Sequence, residues 1–483
     1  MPHMTFEELK ELVRAGLMVR SHSGAVRPGE VFVAVPGAQV DGAAYIPQAL
    51  AKGAAFVVAR GEAAMPSGAT ATLVEHPEPG EALGELAAAY FHNDTANVPV
   101  IGVTGTNGKT TTTYLLEHLL RENGRKVGVI GTVTYRWPGF SLEASMTTPD
   151  SWKLHELIAN MVAGGVDVVV MEVSSHALDQ HRVGGLDFRA GVLTNVTQDH
   201  LDYHKTMDGY FRAKAMLFHK LKANGHVGVI NWDDDYGRVL LSSHAPAMGY
   251  GLWSENPGRE FGADGLRGEI VSCTGQGLTL RMTHGEESWE ITSPLIGAFN
   301  ASNLLATQAV GLSMGLKPRH MQCLATCAGV PGRLERVANN KDMHVFVDYA
   351  HTPDALENVL STLRDLDFKR ILTVFGCGGD RDRGKRPLMG AAVAKYADIV
   401  FLTSDNPRSE DPERIMDDVM PGLAMCDDVV READRRIAIR SALARLRPGD
   451  VLLVAGKGHE STQQIGTEKF PFSDQQVVRE ILG

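Results

Sequence analysis

The run Val98-Pro99-Val100-Ile101-Gly102-Val103-Thr104-Gly105-Thr106-Asn107-Gly108-Lys109-Thr110-Thr111 decides the fold. Val98 to Val103 reads as a buried strand. Thr111 to Glu122, with Leu115, Leu116, Leu119 and Leu120 at helical spacing, reads as a helix packed on it. Between them, glycines allow backbone N–H groups to turn toward an anion, and the helix N-terminus adds partial positive charge. Lys109 suits β/γ-phosphate oxygens, and the Thr110 hydroxyl suits Mg²⁺. The loop is a short variant of the common G-x-x-x-x-G-K-[ST] form, because Val103 stands where the first glycine belongs. The competing reading is a glycine-rich turn with no ligand; the order strand, loop, Lys-Thr, helix argues against it.

On either side of this run the alternation of strand and helix continues. Val166 to Val173, Gly191 to Asn195, Val345 to Val347, Ile371 to Phe375, Ile399 to Thr403 and Val451 to Val454 read as strands with helical segments between them. This predicts an α/β protein whose sheets are mostly parallel. Residues 1 to about 95 carry shorter apolar runs, Val31 to Val35 and Ala55 to Val58, then a helix from about Ala82 to Phe91. Residues 255 to 295 are glycine-punctuated and β-like, an antiparallel flank, and a helix starts near Asn300. Boundaries near 95 and 331 give three domains: 1–95, 96–331 and 332–483.

The bulk numbers agree with several domains, since 483 residues exceed one ordinary core. Net charge is 47 − 58 = −11, a poor balance for a nucleic-acid binder. The five cysteines are scattered, as in a reducing cytoplasm, and Cys323 and Cys327 lack the His/Cys partners of a zinc site. MPHMTFEELKELV reads as the start of an amphipathic helix and not as a secretion signal, and no apolar run is long enough to span a membrane.

The TGTNGKTT loop resembles that of the Mur ligases and of the related folylpolyglutamate synthases. Further segments narrow the resemblance: Met171 to Leu178 (MEVSSHAL), Asn195 to His204 (NVTQDHLDYH), Asp348 to Asp354 (DYAHTPD) and Phe375 to Gly390 (FGCGGDRDRGKRPLMG). They run in family order from about residue 19 to 483. They resemble the branch of the Mur ligases that extends UDP-MurNAc-L-Ala-D-Glu in peptidoglycan precursor synthesis. The resemblance implies a UDP-substrate-binding first domain, a central P-loop ATPase domain with a mostly parallel sheet, and a Rossmann-like C-terminal domain. It implies a cytoplasmic enzyme, expected to be a monomer, that uses ATP and Mg²⁺. The D-Glu γ-carboxylate would be phosphorylated, an amine would attack the acyl phosphate, and phosphate would leave.

Residue roles follow position by position. Gly105, Thr106, Asn107, Gly108, Lys109, Thr110 and Thr111 would cradle ATP. Asn303, with Asn300 beside it, matches the adenine-contacting segment, where the competing reading is an N-cap of the next helix. Arg333 and Asp348 match γ-phosphate and ribose contacts, so ATP would bridge two domains. Glu172, at a strand end, and His200 would hold Mg²⁺ beside Thr110. Lys214 reads from residue chemistry alone as a solvated helix lysine; the resemblance makes it the lysine that Mur ligases carbamylate, a metal-supporting carbamate. Lys109, Lys214, Glu172 and His200 together form the expected catalytic set.

Ser23, Thr147, Thr148, Ser174, Gln180 and Arg182 match positions that hold the UDP-linked substrate. Ser23 lies in His22-Ser23-Gly24, where many relatives read Asp-Ser-Arg. Asp405-Asn406-Pro407-Arg408 resembles the signature of the branch that adds meso-diaminopimelate. Arg408 can grip the distal carboxylate that lysine lacks, and Arg381 is a second clamp. Gly456 and Glu460 complete this pocket, with Glu460 facing the distal ammonium. The competing reading of Asp405 to Arg408 is an Asx/Pro turn with a surface arginine. Lysine addition and folate polyglutamylation are the alternative ligase readings, opposed by Arg408 and the UDP-type first domain. A P-loop ATPase or regulatory module is the alternative outside the ligases, opposed by Glu172, His200 and Lys214.

Overall fold

The computed structural model describes residues 4–37, 40–61, 65–66, 68–93, 98–221, 226–244, 246–252, 265–341 and 343–483. The chain divides into two compact units. One comprises residues 1–268, 283–287 and 302–323; the other comprises 269–282, 288–301 and 324–483.

The first unit begins with the capped helix Phe6–Arg14, whose Thr5 and Glu8 form a reciprocal capping box. A four-stranded parallel sheet follows in the order Val19–Arg20, Val31–Val33, Phe56–Ala59, Thr72–Glu75. Leu9, Val13, Val31, Val33, Val58, Ala82 and Leu86 close its core against the helix Pro79–Tyr90. The expected boundary near 95 lies outside the described residues.

The larger sheet of this unit sets the geometry of the phosphate loop. Its parallel part runs Leu266–Thr274, Ala247–Leu252, Val227–Asn231, Phe188–Leu193, Val100–Thr104, Val168–Glu172, Val127–Ile130, so the first strand of the flank expected to be antiparallel joins the sheet in parallel. Val100–Thr104 is entirely buried, as its mostly apolar composition favours. It is flanked by the strands ending at Leu193 and Glu172, and in register Val103 lies beside Glu172 and Thr104 beside Leu193. The loop after Thr104 therefore emerges where both neighbours also end, the crevice in which open α/β sheets bind ligands. The next helix begins at Lys109, two residues before the expected Thr111. Leu266–Thr274, Gly277–His284 and Glu287–Ser293 are the strands of the region expected to be β-like, of which residues 253–264 lie outside the described set.

The second unit is built on a six-stranded sheet ordered Glu335–Arg336, His344–Asp348, Val451–Ala455, Ile371–Phe375, Ile399–Leu402, Val429–Arg431. All its pairings are parallel except that of Glu335–Arg336. Two buried clusters line its faces. One holds Leu356, Leu360 and Met389 from Pro353–Arg364 and Lys385–Ala394; the other holds Ala438, Ile439 and Val478 from Arg435–Arg445 and Asp474–Leu482. Asp348 is the last residue of one of these parallel strands, and Gly376, Asp405 and Gly456 follow the C-terminal ends of three others. Among the described residues no helix is long and apolar enough to cross a membrane. Among the described residues no cysteine is paired in a disulfide.

Candidate active site

The phosphate loop is held open by backbone that only glycine tolerates. Gly105 has φ +147°, and a Cβ there would meet the Thr194 hydroxyl at 1.8 Å. Gly108 has φ +85°, with the Asn303 side-chain oxygen 2.5 Å from the position of its absent Cβ. The strand end at Leu193 supplies the loop's other wall. Asn195 accepts from Asn107 N at 2.9 Å, and Thr194 Oγ1 donates to the Asn107 carbonyl at 2.6 Å. Lys109 Nζ folds back onto the carbonyls of Gly105 and Thr106 at 2.9 and 2.8 Å. The ammonium thus lies against the loop's own carbonyls. Thr111 is partly buried in the helix's first turn.

Glu172, 1% exposed, is the last residue of its strand. Its Oε2 accepts from Thr110 Oγ1 and from Thr132 Oγ1, each at 3.0 Å, and its Oε1 accepts from Thr132 N at 2.9 Å. Thr132 Oγ1 lies 3.1 Å from Thr147 Oγ1, so the carboxylate connects to the Thr147-Thr148 segment. Thr148 Oγ1 donates to the Glu172 carbonyl at 2.9 Å and accepts from Ser174 N at 3.1 Å.

Lys214 corrects the reading from residue chemistry. It is not a solvated helix lysine: it is 1% exposed within the helix Met207–His219. Nζ donates to the Gly105 carbonyl at 2.8 Å and lies 4.2 Å from the centre of the Tyr210 ring. Burial first, and then the charge of Lys109, push its ammonium well below the ordinary lysine range. The buried face was hidden in the sequence because Lys214 falls among Ala213, Ala215 and Leu217, whose burial only the fold reveals.

His200 sits at the N-terminal end of the turn Leu201–His204 with φ +51°. Its ring lies 4.8 Å from that of His176 and 6.1 Å from that of Tyr210. Arg182, Gln180 and Tyr203 form a connected strip. Arg182 donates twice to Gln180 Oε1 at 3.0 and 2.6 Å and once to the Thr148 carbonyl at 3.2 Å. Gln180 Nε2 donates to Tyr203 OH at 3.2 Å. Ser174 caps the helix Ser175–Asp179 through Ala177 N. Ser23 is buried in the N-terminal sheet's connection and donates to Gln48 Oε1 at 2.7 Å. The structure thus brings Thr147, Thr148, Ser174, Gln180 and Arg182 into one hydrogen-bonded group, and places Ser23 on a separate element.

Asn303 stands against the loop, with Oδ1 3.4 Å from Thr112 Oγ1. Asn300 is not an N-cap, and neither is Asn303. The helix starts at Ala298, and Asn300 Nδ2 donates back to the Ile296 carbonyl at 2.9 Å.

In the second unit, Asp348 accepts from Leu334 N and Ala350 N at 2.5 and 2.7 Å. Burial pushes its carboxyl up, opposed by Arg333 and those donors. The Arg333 guanidinium lies 4.8 Å from the Tyr349 ring centre.

Arg408 has φ +51° and donates through Nη1 to the Gly379 carbonyl at 2.7 Å. Its backbone bridges to Ile465, so the surface-turn reading of Asp405 to Arg408 is incomplete: the segment is tied in on both sides. Arg381 is exposed on the neighbouring loop. Asp405 and Asn406 are buried at 7% and 9% exposure, with Gly456 turning beside them at φ +114°. Sequence reasoning gave Lys457 no role, yet its Nζ is the centre of this group, 2.9 Å from Glu460 Oε2 and 3.1 Å from Asn406 Oδ1. Its signal was its place in Gly456-Lys457-Gly458-His459-Glu460, directly after a buried strand.

A parallel sheet, a glycine loop opening a helix and a carboxylate at the adjoining strand end define a nucleotide-phosphate-binding α/β enzyme. Comparison with known proteins narrows the class. Residues 18–91 match the Mur ligase family catalytic domain, 103–311 the Mur ligase middle domain, and 332–458 the Mur ligase glutamate ligase domain. A protein of Lawsonia intracellularis named UDP-N-acetylmuramoyl-L-alanyl-D-glutamate–2,6-diaminopimelate ligase is 51% identical over 98% of this chain and 97% of its own length. One of the same name from Aquifex aeolicus is 44% identical over 96% of this chain and 92% of its own. A solved structure of a ligase of that name is 33% identical, with a TM-score of 0.69, over 96% of this chain and 94% of its own. The chain belongs to the Mur ligase family and is a ligase.

Proposed function

We propose that this enzyme joins meso-2,6-diaminopimelate to the D-Glu γ-carboxylate of UDP-MurNAc-L-Ala-D-Glu, converting ATP to ADP and phosphate. A carboxylate oxygen attacks the γ-phosphorus and ADP leaves. The amine nitrogen then attacks the acyl carbon, phosphate leaves, and the nitrogen gives up a proton. The observation that carries this reading is that Glu172 and Lys214 both bond to the phosphate loop, through Thr110 and the Gly105 carbonyl, in a chain so similar to proteins of that name along its length. The roles read for 1–95, 96–331 and 332–483 as substrate, ATP and amino-acid domains are part of the proposal. So are a cytoplasmic location and a monomeric state.

Lys109 and the loop of residues 105–111 would hold the triphosphate and Asn303 the adenine; Arg333 and Asp348 are the residues proposed for the γ-phosphate and the ribose. The oxygen pair Thr110 Oγ1 and Glu172 Oε2, 3.0 Å apart, fits Mg²⁺, which takes few protein oxygens and completes its shell with water and phosphate. His200 would join this set. Bound there, the ion would neutralise charge between two anionic reactants. An unmodified Lys214 ammonium does not fit a cation site. Its suppressed basicity, however, favours the neutral amine that reacts with CO₂, and the resulting carbamate does fit. Thr147, Thr148, Ser174, Gln180 and Arg182 offer hydroxyls, an amide and a guanidinium to the UDP-linked substrate, and Ser23 offers a hydroxyl in the first domain. Arg381, Asp405, Asn406, Arg408, Gly456 and Glu460 would receive the amino acid.

The test is product formation. Purified enzyme with Mg²⁺-ATP, the UDP-dipeptide and diaminopimelate is expected to yield one species heavier by diaminopimelate less water. ADP formation without that product would support the ATPase alternative.

A further inference from the structure

The group around Lys457 holds more order than an amino-acid pocket made of Arg408 and Glu460 alone requires. Lys457 is 0% exposed. Its Nζ faces Glu460 Oε2 at 2.9 Å, Asn406 Oδ1 at 3.1 Å and Asp405 Oδ1 at 3.6 Å. Asn406 Oδ1 also accepts from Gln464 N at 2.9 Å. With two donors on that oxygen, the amide orientation is fixed, and Nδ2 must donate; it does so to Glu460 Oε2 at 2.9 Å. Glu460 Oε2 is therefore satisfied twice, which leaves Oε1 for an incoming donor. The Glu460 side chain keeps 32% exposure, so it remains reachable.

The charge count is equally specific. Asp405 and Glu460 carry two carboxylates and Lys457 one ammonium. The next buried charges cancel: Arg435 pairs with Asp474 through bonds of 2.8 and 2.7 Å, both side chains fully buried. Arg435 also donates to the Ala455 carbonyl at 2.8 Å, pinning the residue before the Gly456 turn. Without Lys457, the buried Asp405 carboxylate and the part-buried Glu460 carboxylate would face each other with no cation between them, which disfavours ionisation of both.

We infer that Lys457 is a positioning and specificity residue of the amino-acid pocket: it orients Glu460 and Asn406 and cancels one of two carboxylate charges, leaving a single negative charge to receive one ammonium. The inference rests on the reading that this pocket takes diaminopimelate. A merely structural lysine would affect all substrates alike, so the discriminating readout is the KM of the amine set against the other two.

The experiment uses the full-length enzyme and measures KM for diaminopimelate, ATP and the UDP-dipeptide separately. Lys457→Gln is expected to raise the diaminopimelate KM tenfold or more and to leave the other two within about twofold. Adding Asp405→Asn restores the charge count and is expected to recover at least threefold of that loss. If the glutamine variant does not fold, Lys457→Arg, which keeps the charge but displaces it, is expected to raise the same KM alone. An unchanged diaminopimelate KM, or equal changes in all three, would overturn the inference while leaving the ligase reading intact. A wild-type enzyme that ignores diaminopimelate would remove both.

Discussion

Lys214 Nζ donates to the main-chain carbonyl of Gly105, the first residue of the phosphate loop, at 2.8 Å. A buried lysine thus touches the loop proposed to hold ATP. Its side chain has little solvent to stabilise an ammonium, and Lys109 disfavours a second positive charge nearby. Lys214→Ala is expected to lower kcat by two orders of magnitude or more, with partial rescue by short-chain carboxylic acids supplied in trans. Intact-protein mass and density at Nζ in the presence of bicarbonate check the carbamate directly. Full activity of Lys214→Ala would remove it from the mechanism.

Thr110 and Glu172 share a hydrogen bond that an incoming Mg²⁺ would replace. Thr110→Val removes one oxygen and leaves Glu172 anchored by Thr132. Its half-saturating Mg²⁺ concentration is expected to rise about tenfold or more, on the order of 1.4 kcal/mol in binding. A magnesium titration at saturating ATP measures it, and an unshifted curve argues against this pair as ligands.

Arg408 stands in a left-handed backbone conformation, a cost that non-glycine residues accept where structure over-determines them. Arg408→Ala is expected to raise the diaminopimelate KM about tenfold or more without raising that of ATP. Arg408→Lys should recover little, because an ammonium cannot form a bidentate pair with a carboxylate. Parallel increases for both substrates would count against direct contact.

Glu81, on the helix Pro79–Tyr90, ties the first sheet to the central one through His181 and Lys220. Burial opposes its ionisation, but those partners outweigh it and hold the carboxyl at about 2. A folded-state value below the unfolded one stabilises the fold above about pH 4.5, and that stability is lost as pH falls toward 2. Glu81→Gln should therefore cost about 1–2 kcal/mol at pH 7, after screening, and the gap from wild type should close on acidification. Denaturant melts at pH 7 and pH 3 test this; a gap independent of pH would show that the charge is not the cause.

The parts of this architecture that depend on local pattern were legible in the sequence. Val100–Thr104 and Ile371–Phe375 are mostly apolar runs of strand length, and Glu172 follows the apolar run Val168 to Met171 at a strand end. Features that depend on side chains distant in sequence were not. Lys214 became buried through packing on Gly105 and Tyr210, and Lys457 gained its role from Asp405 and Asn406, some fifty residues away. The N-cap reading of the asparagines failed because the helix starts at Ala298, directly after Gly297 at φ +90° and two residues before Asn300, which therefore lies in its first turn.

The most direct test of the central claim is amine-dependent phosphate release by the purified enzyme with Mg²⁺-ATP and UDP-MurNAc-L-Ala-D-Glu. The account predicts release that requires the UDP-dipeptide and an amine, and a kcat/KM for meso-diaminopimelate at least a hundredfold above that for L-lysine. Equal rates with the two amino acids, or release that needs neither amine nor UDP-dipeptide, would contradict it.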